Sequence, residues 1–248
     1  MTKTAGIIII GNEVLSGKTQ DINSTFLCCE LRSLGVDVRR VIVIPDEIDL
    51  IGETAAAFST EWDYVFTTGG VGPTHDDVTV EGVAKGFGVK AIIHPDLEKR
   101  LRDRYRNDLN GARLRMALTP EDSELLGQGS VFSPVIRYRN IYIFPGVPRI
   151  LQERFAAIRE LFRGEPFFLK NIYVSAGEGV IAQTLNDLLK EFPNVMLGSY
   201  PTLDNPDFKV KVTVESKDRN YLMRAVNWLL ERLPAGNIVR VESVEPTR

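Results

Sequence analysis

The chain is poor in cysteine and histidine and has no excess of basic charge. Its two cysteines, Cys28 and Cys29, are adjacent in a stretch of helical pattern. Neighbours on a helix point to different faces, so they make a poor disulfide pair. No further Cys exists to complete a zinc site, and the pair reads as small buried or half-buried side chains in a reducing compartment. His75 and His94 are the only histidines. No Ser-His-Asp order and no second Cys-His pair is visible, so nucleophilic hydrolase chemistry has no support. The formal net charge is -3, without the basic field of a nucleic-acid binder. The longest apolar run near the start, Ile7-Ile8-Ile9-Ile10, is too short to cross a bilayer. Met1-Thr2-Lys3-Thr4 leads straight into it without a secretory leader pattern. A cytoplasmic protein is expected, with neither nucleic acid nor membrane as partner.

What is present is ordinary globular material. The chain has 248 residues, 44% hydrophobic and 25% charged, enough for one large domain or a medium one with a small companion. Thr4 to Ile10 reads as a strand buried on both faces. A helix is expected from Asp21, ended by Gly35, then a strand over Val36 to Ile44 closed by Pro45. A helix over Asp49 to Ser59 and a strand over Asp63 to Thr68 follow. Helices are expected over Asp77 to Phe87 and Pro95 to Leu109, with a strand over Val89 to Ile93 between them. Asn110 to Gly129 reads as polar and irregular. Val131 to Tyr138 and Asn140 to Phe144 read as adjacent strands, and Pro148 to Phe162 as an amphipathic helix. This alternation implies an α/β domain, a mostly parallel sheet covered by helices, over residues 1–165. Arg163-Gly164-Glu165-Pro166 marks a boundary. Beyond it the order strand, helix, strand, strand, helix, with a last short strand over Ile238 to Glu242, implies a small α+β domain of split βαβ type over 166–248. The end, Val244 to Arg248, packs against nothing obvious.

The segment that carries chemistry is Thr67-Thr68-Gly69-Gly70-Val71-Gly72-Pro73-Thr74-His75-Asp76-Asp77-Val78-Thr79. It follows a strand and precedes a helix, where an open parallel sheet binds ligands. Gly69, Gly70 and Gly72 let main-chain amides approach an anion, and the next helix aims its positive end there. Thr68 and Thr74 add hydroxyl donors, and His75 stands within reach of a phosphate. The loop has no Gly-Lys-Ser/Thr ending, so it is not a Walker loop, and it does not fit G-x-G-x-x-G. The same glycines also serve a tight turn that binds nothing. Asp77 reads either as a helix cap or as a carboxylate that holds a divalent cation beside the phosphate. Asp46 and Glu13 follow the second and first strands and share that sheet edge; turn or cap chemistry is the other reading of Asp46.

On Thr67 to Thr74, Asp77-Val78-Thr79 and Pro45-Asp46-Glu47, the chain resembles the molybdopterin-binding domain family that includes MoaB, MogA and the G domain of gephyrin. The resemblance implies that Asp46 and Asp77 are the catalytic positions. Thr4 to Asp21, Phe144-Pro145-Gly146-Val147-Pro148 and Leu197-Gly198-Ser199-Tyr200-Pro201 look like the CinA N-terminal domain and the corresponding domain of animal-type FAD synthase. Asn12 stands where those relatives often have Asp, and residues 110–130 lack the Asn-x-x-Gly-x-Ala-x-Gly pattern of CinA. No Ser-Gly-Gly-x-Asp adenylation loop is present, so FAD synthesis itself is not expected here.

The resemblance implies three functions. One is metal-dependent hydrolysis of a dinucleotide diphosphate, FAD to FMN plus AMP or ADP-ribose, with Mg, Mn or Co held by Asp77, Asp46 and Glu13. In that reading Thr68, Gly69, Gly70, Gly72, Thr74, His75, Ser199 and Tyr200 contact substrate. A second is a non-catalytic nucleotide- or pterin-binding regulatory domain fused to a C-terminal FAD synthase domain. The third is MogA-like adenylation of a pterin. Self-association into a homo-oligomer is a further expectation from the resemblance.

Overall fold

A computed structural model describes residues 2–127 and 134–244. The chain divides into two compact units, Met1–Gly164 and Glu165–Arg248.

The first unit is built on a six-stranded sheet. Its strands are β1 (Thr4–Ile10), β2 (Asp37–Ile44), β3 (Tyr64–Thr68), β6 (Glu124–Leu126), β7 (Val135–Tyr138) and β8 (Ile141–Phe144), after the short pair β4 (Ala91–Ile93) and β5 (Leu118–Pro120) described below. The spatial order is β2-β1-β3-β8-β7-β6. β1 pairs in parallel with β2 and β3, and β3 pairs in parallel with β8. β7 and β6 close one edge antiparallel.

The uninterrupted apolar run of β1 has a simple cause. Ile8 and Ile10 face one core with Ile51, Ala55, Phe58, Val80 and Val83. Ile7 and Ile9 face a second core with Leu27, Leu31, Leu151 and Phe155. Those partners come from α3 (Ile48–Glu61) and α4 (Thr79–Gly86) on one face, and from α2 (Asn23–Ser33) and α7 (Pro148–Ile158) on the other. With period 2, a strand covered on both sides must be apolar at every position. Phe66 and Tyr142 stack at 5.4 Å on adjacent strands β3 and β8, and Phe162 meets Phe66 edge-on at 5.1 Å. The two strands that carry the glycine loop and the Pro145-Gly146 turn thus share one aromatic cluster.

Several expectations need correction or addition. The segment expected to be irregular from Asn110 is ordered over residues 111–126, and residues 128–129 lie outside the described residues. Within 111–126 lie α6 (Gly111–Leu114), a 3-10 turn at Arg115–Ala117, β5 and β6. β5 pairs with β4, and β6 with β7. Each strand has three residues, too few to show a period of two, and its partner supplies the order. A four-residue helix, α1 (Asn12–Leu15), follows β1. The helix expected from Pro95 splits into α5 (Pro95–Tyr105) and a 3-10 turn at Arg106–Asp108. Cys28 is half-buried but Cys29 is exposed; burial pushes the Cys28 thiol up. Residues 131–133 of the expected strand, and 245–248 of the expected unpacked end, lie outside the described residues.

The second unit runs β9 (Phe168–Val174), α8 (Glu178–Glu191), β10 (Met196–Pro201), β11 (Val210–Ser216), α9 (Arg219–Arg232) and β12 (Ile238–Val244). All neighbours in its sheet, β10-β11-β9-β12, pair antiparallel. Asp218 caps α9 by accepting from the Tyr221 amide at 2.9 Å. The inward residues of β9 and β11 pack with Ile181, Leu185 and Leu188 of α8 and Leu222, Val226 and Leu229 of α9.

Among the described residues no helix is long and apolar enough to cross a membrane.

Candidate phosphate-binding corner

β2 lies on one side of β1 and β3 on the other, so chain direction switches between β1 and β3. Ligands of doubly wound sheets enter at such a switch, beyond the carboxyl ends of the strands. The glycine loop leaves β3 at this point. Gly69 has φ +100° and Gly70 has φ +59°. A Cβ on Gly69 would lie 1.9 Å from the Ile10 carbonyl oxygen, and one on Gly70 would lie 2.3 Å from Thr79 Oγ1. Only glycine permits both the left-handed turn and this approach. Thr79, fully buried at the first turn of α4, closes the loop from the other side. Its amide donates to the Gly70 carbonyl at 3.0 Å and its hydroxyl to the Gly69 carbonyl at 2.8 Å.

The structure gives Thr68 a different role from the one expected. Its hydroxyl is buried, donates to the Pro145 carbonyl at 3.1 Å and accepts from Asn23 Nδ2 at 3.0 Å. The same Asn23 amide group donates to the Gly146 carbonyl at 2.8 Å. The Thr68 donor is therefore spent inside the protein. Asn23 joins three segments: the start of α2, the end of β3 and the Pro145-Gly146 turn after β8. Its Oδ1 is buried, without a hydrogen-bond partner among the described residues. Asn23 was missed by sequence reasoning. The available signal was a polar residue where the helical pattern begins, two positions after Asp21. A small crevice of about 60 Å³ lined by Asn23, Thr68, Gly69 and Glu13 opens here.

Asp77 precedes α4 instead of standing within it. Its Oδ2 accepts from the Thr74 amide at 2.7 Å and from the Thr74 hydroxyl. A Cβ on Gly72 would sit 2.6 Å from the same oxygen. The carboxylate thus lies against the backbone expected to cradle an anion. Arg115, from the segment read as irregular, fixes this part of the loop. Its guanidinium donates to the Asp77 carbonyl at 3.0 Å and to Glu81 at 2.8 Å. His75 is almost fully exposed, with Nδ1 3.9 Å from Asp76. His94, by contrast, caps α5 by accepting from the Asp96 amide at 3.2 Å.

Asp46 is half-buried, and its Oδ2 accepts from the Asn12 amide at 2.8 Å, which ties the end of β2 to the end of β1. The Glu13 carboxylate lies against Gly11, where a Cβ would meet Glu13 Oε1 at 2.5 Å. Among the described residues no group of three or more His, Cys, Asp or Glu side chains is placed to hold a metal ion. Asp77, Asp46 and Glu13 therefore do not form the three-carboxylate ligand set expected for them. Each is engaged elsewhere: Asp77 on its own loop, Asp46 on α1, Glu13 against Gly11.

Ser199 and Tyr200 lie on β10 of the second unit. Ser199 donates to Glu178. Tyr200 is more than half exposed, so it is not a core tyrosine, and its ring folds over Gly198.

Comparison with known proteins places these features in a family. Residues 6–163 match the family model described as "Probable molybdopterin binding domain", and residues 166–242 match "FAD synthase, middle domain". A probable FAD synthase of Caenorhabditis elegans is 36% identical over 97% of this chain and 52% of its own length. The chain thus spans about half the length of that curated relative. A protein of Archaeoglobus fulgidus is 33% identical over 92% of this chain and 96% of its own. Among solved structures, the protein CinA with unknown function from Thermoplasma acidophilum superposes with a TM-score of 0.60 at 32% identity, covering 65% of this chain and all of that one. The chain belongs to the molybdopterin-binding domain family and carries an FAD synthase middle domain beyond it.

Proposed function

We propose that this member of the family binds the diphosphate of a dinucleotide at the Gly69–Thr74 corner and hydrolyses it, FAD to FMN and AMP being the favoured reaction and ADP-ribose the second substrate. The observation that carries the reading is the left-handed Gly69-Gly70 turn, pressed onto Ile10 at the switch of a doubly wound sheet, with Asp46 and Asp77 on the same edge. The Gly69 amide is spent on the Phe144 carbonyl at 3.3 Å, so anion contact falls to the amides that follow it in the loop, and amides at such a turn favour negative charge. The FAD synthase middle domain and the probable FAD synthase of C. elegans support a flavin dinucleotide over other diphosphates.

The protein's own groups have defined tasks in this reading. A substrate phosphate replaces the Asp77 carboxylate on the Thr74 amide. Water attacks one phosphorus, the bond to the bridging oxygen breaks, and two monophosphates leave. Asp46 or the freed Asp77 takes the proton of the attacking water. A divalent cation, when bound, would neutralise the diphosphate and sharpen the water as nucleophile. Asp77 and Asp46 are the residues that would hold it. Mg²⁺ commonly binds through one or two carboxylates together with substrate phosphates. The donor set here therefore fits a cation that arrives with its substrate better than one held by protein alone.

One observation favours a second reading, a non-catalytic nucleotide- or pterin-binding module fused to a synthase domain. It is the engagement of both carboxylates on the protein's own amides, Asp77 on Thr74 and Asp46 on Asn12. The test is AMP release from FAD and from ADP-ribose by the purified chain with Mg²⁺, Mn²⁺ or Co²⁺. Release that is lost in Asp77→Ala and Asp46→Ala supports hydrolysis. Release from neither substrate, with flavin or pterin still bound, selects the module.

A further inference from the structure

A second concavity of about 400 Å³ opens beside the glycine loop, sharing Gly72 and Pro73 with it. Most of its wall is apolar, from Leu97 and Leu101 of α5, Met116, and Ile136 of β7, and Arg100 and Arg104 of α5 also line it. Into this wall α7 sends Arg154. Among the described residues the buried Arg154 Nε has no hydrogen-bond partner and no carboxylate pairs with its guanidinium. The neighbouring Glu153 also lines the space, but its carboxylate accepts from Arg149 at 2.9 Å. Burial alone, with no compensating anion, lowers Arg154 to about 10. It still carries its charge at neutral pH.

A guanidinium in an apolar wall without a counter-ion costs stability, and replacing such a charge by a hydrophobic side chain is often neutral or stabilising. Arginine is also the side chain best shaped to grip a phosphate with two parallel hydrogen bonds. The volume lies within the range of small-molecule sites, which combine apolar walls with a few placed polar groups.

We propose that this cavity is a binding subsite for a phosphorylated aromatic ring system, with the ring on the apolar wall and the phosphate on Arg154. It rests on the proposed function for the identity of the ring, which is then the flavin of the FMN half of the substrate. The anion site stands on Arg154 and the cavity.

The test is equilibrium binding of FMN, riboflavin and AMP to the whole chain, followed by flavin fluorescence, for wild type, Arg154→Met and Arg154→Lys. Wild type binds FMN at least about tenfold more tightly than riboflavin, the worth of one charge-assisted phosphate contact. Arg154→Met brings FMN down to the riboflavin level and leaves riboflavin unchanged; Arg154→Lys recovers part of the difference. The unliganded Arg154→Met chain melts no lower than wild type, because a half-buried charge without a counter-ion has gone. Equal binding of FMN and riboflavin by wild type overturns the proposal. So does an FMN affinity that Arg154→Met leaves intact, or a large drop in melting temperature, which marks the arginine as structural. Arg154-dependent FMN binding without AMP release would keep the subsite and remove the hydrolysis. AMP release without Arg154-dependent FMN binding would do the reverse.

Discussion

The Thr74 amide donates to Asp77 Oδ2 at 2.7 Å, so the carboxylate occupies the donor that the proposed phosphate would need. Asp77→Ala frees that donor and removes a like charge. Inorganic phosphate without metal should then bind about tenfold more tightly, near 1.4 kcal/mol, while metal-dependent AMP release falls to background. Phosphate titration by calorimetry, beside an AMP assay, reads both. Unchanged phosphate affinity would show that the carboxylate does not compete for the loop.

Asn23 is a structural keystone of the corner, and its removal leaves Thr68 Oγ1 and the Gly146 carbonyl without their donor. Asn23→Ala should cost about 1–3 kcal/mol, the usual penalty for stranding buried polar groups. Urea unfolding should show a lower midpoint with an unchanged slope. A variant as stable as wild type would mean that water replaces the amide.

Two glycines with positive φ should respond differently to alanine. At Gly69 the new Cβ meets backbone, the Ile10 carbonyl at 1.9 Å, whereas at Gly17, φ +71°, nothing lies within 4 Å. Gly69→Ala should destabilise by at least ~3 kcal/mol, strain plus overlap. Gly17→Ala should cost ~1 kcal/mol, from its backbone conformation alone. Thermal melts of the two variants side by side decide this, and equal losses would contradict it.

Asp63 anchors the start of β1. It accepts from Lys3 Nζ at 2.7 Å, and from the Thr4 amide and hydroxyl at 2.9 Å each. The Lys3 bond first, and then the Thr4 donors, hold its carboxyl below the ordinary range. The unfolded chain keeps the usual aspartate value of about 3.9. The stabilisation is therefore fully present above that pH and is lost as pH falls through the lower folded value. Asp63→Asn should melt below wild type at pH 7, with the gap closing on acidification below about pH 4. A gap independent of pH would assign the difference to something other than the carboxylate's charge.

Much of the fold was legible because its signals are local. β1 spans the same residues, Thr4–Ile10, that the apolar run marks, since burial on both faces leaves no alternation to misread. The strand-glycine-helix order located the corner. The parts that sequence reading missed depend on distant partners. Nothing near Thr68 reveals that its hydroxyl turns toward Pro145 instead of outward. The order of residues 118–126 comes from pairing with β4 and β7, and Arg115 matters because the fold carries it to the Asp77 carbonyl. Arg154 reads as the solvated face of an amphipathic helix until the wall opposite is seen to be apolar.

The corner is pinned by residues far apart along the chain: Thr68 bonds to Pro145, and a Cβ on Gly146 would lie 3.3 Å from the Gly69 Cα. A polypeptide still emerging from the ribosome, with β8 not yet delivered, cannot hold the glycine turn in place. The loop therefore takes its shape only after the first unit has closed, and any lesion that frees the final strand of this sheet should disorder the loop without touching it.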